Sequence, residues 1–383
     1  MSSPGTPSAG LTSRGGPRGR RCRRLTTTRT GLASAGAPSR RGWAALLEVG
    51  GYLFDLEAVE RWAREKGVRR LLLQAPDGMK AAAVELARRL EQKGFEAIIS
   101  GSHAWGGCDV AYDEAESVGA EGILHLGHHG FVGHSGGRVP VLFLPAPSSS
   151  DPVPVFRRAL EEVLAEGHLE VALGVTVQHA HLVGRLEEVA GEVGVTLHVG
   201  EFGGFKGLVV GCNYSSLSGG SAVVIVAGGV FHGLGAALWT GKPTWVADPY
   251  LREVRRIDVR KFLAVRLEML SRAMEARRFA VLVSAKPGQR RLHVAKLAAE
   301  ALRRSGREAS LVVLDEVTRE ALENLPGFDA FVNTACPRLA VDDAEMFPAP
   351  VVNAGELKYL LRGSLEGYSP RDVFLFDLRG LGA

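Results

Sequence analysis

The segment FVNTACPRLAVDD, Phe331 to Asp343, sets the reading of the 383-residue chain. A short apolar run without alternation marks a strand covered on both faces rather than one facing water. Here the run stops at Asn333-Thr334. Cys336 follows, held between Ala335 and Pro337, with Arg338 and the acids Asp342 and Asp343 close behind. The loops beyond the carboxyl ends of parallel strands are where α/β domains collect their ligands. A lone cysteine in that place is equally an ordinary small hydrophobe, so its meaning depends on the rest of the chain.

Upstream, the same unit opens with Phe279 to Ser284 and turns through Lys286-Pro287-Gly288-Gln289-Arg290-Arg291. A helix with Val294, Leu297, Ala298 and Ala301 on one face and a strand from Ala309 to Leu314 then lead to the Cys336 segment. Strands alternating with helices predict βαβ units and a parallel sheet.

The pattern occurs twice before. A helix over Leu56 to Lys66 leads into the strand Val68 to Gln74, the turn at Asp77-Gly78, and a helix with Val84, Ala87 and Leu90 inward that Gly94 stops. The strand Ala97 to Ser100 then runs into the loop bearing Cys108, and strands follow at Gly122 to Gly127 and Val141 to Pro145. The middle unit has the strand Glu170 to Thr176, a helix over Leu182 to Glu192, the strand Val195 to Val199, and a strand in Gly207 to Tyr214 that ends in Cys212. It closes with a strand Ala222 to Ala227, a helix near Gly235 to Thr240 and a strand Thr244 to Pro249.

Openings at Leu71, Val171 and Val281 lie 100 and 110 residues apart, which suggests internal triplication. The predicted fold class is α/β, with three related Rossmann-like parallel-sheet domains around a pseudo-threefold axis. They span residues 44–150, 151–262 and 263–383, with Cys108, Cys212 and Cys336 one to each, and a helix between Arg252 and Arg277 joins the second to the third.

The sequence pI of about 8.9 misleads about partners. Residues 1–43 hold nine arginines and no acid, which leaves 37 basic against 42 acidic residues in the remainder. A mildly acidic body offers no support for nucleic-acid binding, which needs clustered cations on the folded surface. The Ser/Thr/Gly/Pro/Arg composition of residues 1–43 buries too little apolar surface to order, so a disordered tail is expected there, with Cys22 inside it and without a metal role. No apolar run approaches the roughly 18 residues of a membrane span. Four cysteines and no secretory signal predict a reducing cytoplasm and no disulfide framework.

Three thiols 104 and 124 residues apart do not match zinc knuckles, which use two-residue spacings and four ligands. Three domains about a common axis would bring one thiol each to a shared centre. Three thiolates on a cubane iron–sulfur cluster leave one iron without a protein ligand, free for chemistry. Three unrelated buried cysteines remain the alternative on spacing alone.

The segments FVNTACPRLAVDD, GLVVGCNYSS, WGGCDVAYDEA, FHGLGAALWTGKPTWVADPY and SAKPGQRR together resemble the archaeal diphthamide-synthesis radical enzymes, over nearly all of residues 50–375. These are 2-(3-amino-3-carboxypropyl)histidine synthases of the diphthamide biosynthesis protein 2 family. The resemblance implies a cytoplasmic homodimer holding one [4Fe-4S] cluster through Cys108, Cys212 and Cys336. It implies S-adenosylmethionine as cosubstrate, cleaved after one-electron reduction to a 3-amino-3-carboxypropyl radical. That radical adds to a histidine of elongation factor 2, the first step towards diphthamide. An electron donor of unknown identity is also implied.

Under that resemblance, Gly288, Gln289, Arg290 and Arg291 are candidates to hold S-adenosylmethionine, since a glycine turn, a helix N-terminus and an arginine suit its carboxylate. Asp77 and Gly78 occupy the corresponding turn of the first unit, where the family more often carries Glu. Asp248 and Tyr250 are candidates for the adenosine part. His125, His128, His129 and His134, with His103 near Cys108, are read as loop or substrate-facing residues, since no second shell for a mononuclear metal is defined. Two other readings stay open: a quinolinate-synthase-like [4Fe-4S] dehydratase, and a non-catalytic cluster-binding subunit.

Overall fold

The structure is a computed structural model that describes residues 32–34, 46–130 and 137–378. Cys22, Trp43 and His134 lie outside the described residues. The architecture is α/β with three separate parallel-rich sheets. In the first, the strands stand in the order Val141–Leu144, Gly122–Leu126, Arg70–Gln74, Glu96–Ile99, all parallel. The second runs Thr244–Asp248, Ala222–Val226, Glu170–Val175, Thr196–His198, and the third Val351–Asn353, Ala330–Asn333, Arg278–Ser284, Glu308–Leu314. Each set therefore has its fourth, third, first and second strand side by side in that order.

The opening strands are buried because each sheet is covered on both faces. Leu71 and Leu73 pack under the helices Leu56–Lys66 and Lys80–Gln92, while Leu72 faces an opposite core with Ile123 and Phe143. The helix Leu56–Lys66 starts where the Asp55 carboxylate accepts from the Ala58 amide (2.8 Å) and ends at Gly67 in the left-handed region (φ 67°). Two inward assignments are corrected. Val84 is 39% and Leu297 47% exposed. The buried stripes run instead through Ala82, Ala83, Leu86 and Leu90, and through Val294, Ala295, Ala298 and Leu302, so both residues sit on the flank of their helix.

Three further departures matter. Gly207 to Tyr214 is not a regular strand. Leu208 and Val209 lie along the end of Glu170–Val175, and Val210 and Asn213 then exchange two 3.0 Å backbone hydrogen bonds, closing a tight turn with Cys212 inside it. Glu253–Arg256 adds an antiparallel edge strand to the second sheet, unseen because its residues are mostly charged. Leu32–Ser34, within the stretch expected to be a disordered tail, pairs in parallel with Val141–Phe143 and so occupies an edge that would otherwise present free backbone groups.

The helix Arg260–Met274 spans the expected boundary at residue 262. Its Phe262 and Leu263 pack on a second-sheet core, and its Leu270 and Ala273 belong to the third-sheet core. Between them Arg266, 1% exposed, donates through Nε to Glu356 Oε1 (2.7 Å) and through Nη1 to the Val351 carbonyl (2.7 Å), with a second bond from Nη2 to Glu356. Glu356, fully buried, also accepts from Tyr368 Oη and the Asn353 amide. Removing the cation leaves a buried carboxylate uncompensated. Arg266→Met is expected to lower unfolding free energy by about 3–5 kcal/mol in urea titrations, and an unchanged midpoint would show that Glu356 is neutral or hydrated.

Candidate functional site

Each sheet delivers one cysteine loop. In the third, the strand Ala330–Asn333 ends at Asn333, whose side chain locks the turn that carries Cys336. Its Oδ1 accepts from the Ala335 amide (3.0 Å), and its Nδ2 donates to the Cys336 carbonyl (2.8 Å) and to Asn353 Oδ1 (2.7 Å). Thr334 Oγ1 donates to the Leu282 carbonyl (2.7 Å), and Pro337 opens a 3-10 turn through Ala340. The asparagine, the threonine and the proline thus explain the local sequence around Cys336 as a rigid turn.

Cys108 follows a glycine pair. A Cβ at Gly107 would stand 2.2 Å from the His129 carbonyl oxygen, so only glycine lets the loop settle there. The loop then meets the third sheet. The Gly288 amide donates to the Cys108 carbonyl (2.8 Å) and Gln289 Nε2 to its Sγ (3.3 Å). Cys212 stands in its turn beside Gly211, where a Cβ would press within 2.8 Å of the Phe231 ring. Arg338 crosses to the same place. Its guanidinium lies 3.8 Å over the Phe231 ring and donates to the Phe231 carbonyl (3.0 Å), while Asp342 accepts from it (2.7 Å).

The three thiols lie within electrostatic reach of one another. Burial pushes the Cys108 thiol up to about 11 and Cys336 up to about 12, and raises Cys212 as well. Arg291 carries its charge into the field of all three, fixed by a bond from Nη1 to the Ala335 carbonyl (2.8 Å) and by the Phe376 ring 3.9 Å beneath it. Among the described residues, no three His, Cys, Asp or Glu side chains converge on a single metal ion. Soft thiol donors from three separate loops, partly buried and beside a cation, suit a polynuclear iron–sulfur group, where each thiolate takes a different iron.

The other candidates divide. Gly288, Gln289 and Arg291 are at the thiol loops. Arg290 is exposed and donates to the Ala285 carbonyl (2.8 Å). Asp77, also exposed, meets His103 Nδ1 (2.7 Å), whose ring stacks on Trp105 of the Cys108 loop, while Gly78 has open space around it. Asp248 is buried and spends its carboxylate on the amides of Gly229, Tyr250 and Leu251, as a turn fastening. Tyr250 is 45% exposed and lies 5.7 Å from the His179 ring.

The loop histidines are corrected too. His125 and His129 are buried, and His125 bridges Gln74 Oε1 (2.8 Å) and His128 Nδ1 (2.9 Å). Gln74 in turn donates to the Asp109 carbonyl (2.7 Å), so this chain of polar groups supports the Cys108 loop from behind. In the sequence, Lys286 is visible only as part of the Gly288 turn. It is buried, with Nζ 3.0 Å from Asp109 Oδ1 and 2.6 Å from Glu316 Oε1.

Comparison with known proteins gives a consistent result. The family described as "Putative diphthamide synthesis protein" matches residues 75–369. The chain is 34% identical over 299 residues to the 2-(3-amino-3-carboxypropyl)histidine synthase of Pyrococcus horikoshii, covering 77% of this chain and 86% of that one. It is 26% identical over 325 residues to subunit 1 of the synthase of Encephalitozoon cuniculi, covering 80% and 88%. The crystal structure of Dph2 from Pyrococcus horikoshii with a 4Fe-4S cluster superposes with a TM-score of 0.75 at 32% identity, over 85% of this chain and 93% of that one. The chain belongs to the diphthamide synthesis protein family.

Proposed function

We propose that this protein is a 2-(3-amino-3-carboxypropyl)histidine synthase that carries out the first step of diphthamide biosynthesis on a histidine of elongation factor 2. Cys108, Cys212 and Cys336 would hold its [4Fe-4S] cluster, and S-adenosylmethionine would be the cosubstrate. The observation that carries this reading is three partly buried thiols, one from a loop of each sheet, within electrostatic reach of one another and of Arg291. The chemistry such a cluster supplies when bound is a low-potential electron and one iron without a protein ligand.

The chain's own residues do the rest. Arg291 offsets the negative charge of the thiolates, and the Gln289 amide supports the Cys108 sulfur. Desolvation raises all three thiols, while each cysteine keeps part of its surface accessible. Gly288 and the start of the helix Leu292–Arg304 remain the proposed seat of the cosubstrate carboxylate, with Arg290 beside them. Asp77 and Gly78, and Asp248 and Tyr250 for the adenosine part, are proposed more peripherally, since their contacts run through His103 or close a turn.

The recurrence of one strand order in three sheets, each with its cysteine beyond the strands, supports descent of three Rossmann-like domains from a triplicated unit about a pseudo-threefold axis. A homodimer would suit the edge strand Glu308–Leu314, which among the described residues pairs with a strand on one side only and leaves Val313 64% exposed. Among the described residues no helix is long and apolar enough to cross a membrane, in keeping with a cytoplasmic enzyme.

The test is anaerobic reconstitution with iron and sulfide, reduction by dithionite, and incubation with S-adenosylmethionine and elongation factor 2, on protein whose mass in solution has been measured. Methylthioadenosine and a modified factor are expected, from a dimer. Turnover that needs a dicarboxylate and dihydroxyacetone phosphate instead would replace this reading with the dehydratase. A cluster with no turnover under any of these conditions would leave a non-catalytic subunit.

A further inference from the structure

We propose that Lys286 is a positioning residue, a clamp that holds the loop bearing Cys108 against the third sheet and so sets the first thiol in register with the other two. The proposal rests on the reading of Cys108 as a cluster ligand.

Lys286 leaves the third sheet just after the strand Arg278–Ser284, and its ammonium reaches a carboxylate 177 positions away in sequence, Asp109, the neighbour of Cys108. Both side chains are only 9% exposed. The same ammonium holds Glu316, which follows the strand Glu308–Leu314. Each carboxylate also grips Trp105. Asp109 Oδ2 accepts from its amide (3.3 Å) and Glu316 Oε2 from its indole Nε1 (3.1 Å). Trp105 is 61% exposed, and its ring is held by the Glu316 bond and the neighbouring His103 ring. One cation thus organises two acids and, through them, both ends of the segment Trp105–Asp109.

The remaining ties across this junction are weaker. The Gly288 amide bonds to the Cys108 carbonyl and the Gln289 amide to a thiol, and neither carries charge. Lys286 itself is oriented by its amide bond to Ser284 Oγ (3.1 Å) and by the Gln289 backbone amide, which donates to its carbonyl (3.0 Å), so the clamp and the Gln289 turn are one rigid piece. Without the ammonium, a buried carboxylate next to Cys108 has no counter-charge, and the loop opens towards water to hydrate it.

The experiment compares Lys286→Met, which keeps the length without the charge, and Lys286→Arg with the unaltered protein. The metal-free chains are treated with iodoacetamide, and each cysteine is followed by mass spectrometry. Cys108 of Lys286→Met is expected to react about tenfold faster, with Cys212 and Cys336 within about twofold of the original, and Lys286→Arg to return Cys108 towards the original rate. Iron bound after reconstitution should fall in Lys286→Met and recover in Lys286→Arg. Should Lys286→Met not fold, Glu316→Gln removes the partly exposed arm and should give a smaller increase confined to Cys108. An unchanged Cys108 rate in a folded variant, or equal acceleration of all three thiols, overturns the clamp. Failure of the unaltered protein to bind iron would instead sink the cluster reading, and the alkylation rates would still decide whether the loop is clamped.

Discussion

Replacing any one of Cys108, Cys212 and Cys336 by alanine is expected to remove most of the bound iron after reconstitution and to lower methylthioadenosine formation by at least about a hundredfold, a loss of about 3 kcal/mol or more in transition-state stabilisation. The three positions differ in support. Cys336 is fixed by Asn333 and Pro337, Cys108 by Gly288 and Gln289, and Cys212 by a tight turn alone. A cluster that needs all three thiolates does not register these differences, so three equal losses are the signature of a shared centre. Buried cysteines with separate packing roles would instead give three unequal losses of stability, about 1 kcal/mol each, with iron unaffected. Iron analysis and chromatography of the nucleoside product decide the matter. A variant that keeps both would remove its cysteine from the set.

Acid should unfold the metal-free protein well before most carboxylates are protonated. Burial holds His128, His129, His179 and His181 down at about 4, and His232 at about 3, with the Arg338 charge adding to the last. His179 is fully buried and neither ring nitrogen has a hydrogen-bond partner among the described residues. In the unfolded chain a histidine takes its proton near pH 6.5. Between that pH and about 4 the unfolded state therefore binds more protons than the folded one, and stability present above pH 6.5 is lost as pH falls. At pH 5 a histidine so depressed contributes a loss of about 2 kcal/mol, a sizeable part of the ~5–15 kcal/mol that holds a typical domain. Asp109, Asp342 and Asp343, raised by burial, act in the opposite sense but are fewer. The urea midpoint should fall steeply from pH 7 to pH 5. A flat profile would mean that these rings are hydrated or already charged in the folded protein.

Most of the scaffold was legible because its signals are local. Continuous apolar runs mark strands buried on both faces, and Leu71, Val171 and Val281 all lie in such strands. Gly94, which stands in the left-handed region (φ 86°), follows the end of the helix Lys80–Gln92 as read. The features that sequence reasoning missed depend on distant partners. Gly207 to Val210 is as apolar as any strand, yet the bonds that shape it come from Val175 and Asn213. The Asp248 carboxylate also accepts from three backbone amides, one of them 19 residues upstream at Gly229. The same holds for Lys286, whose partner Asp109 belongs to another sheet, and for His125, which spacing cannot distinguish from a solvated loop residue. At the candidate site, repetition singled out the three cysteines as candidates, and the turn singled out Arg291 for the cosubstrate carboxylate, whereas the structure sets its charge beside the thiols.

The helix Arg260–Met274 makes the second and third sheets something other than beads on a string. One end seals the second core, the other the third, and the Arg266 pair with Glu356 rivets its middle to the strand and turn that end in the third unit. A gene fragment ending at residue 262 would leave the second core without Leu263, while Arg266 and Glu356 would stay together on the piece that begins there. A cut there divides one helix between two cores, so the second and third units are built to be inherited together.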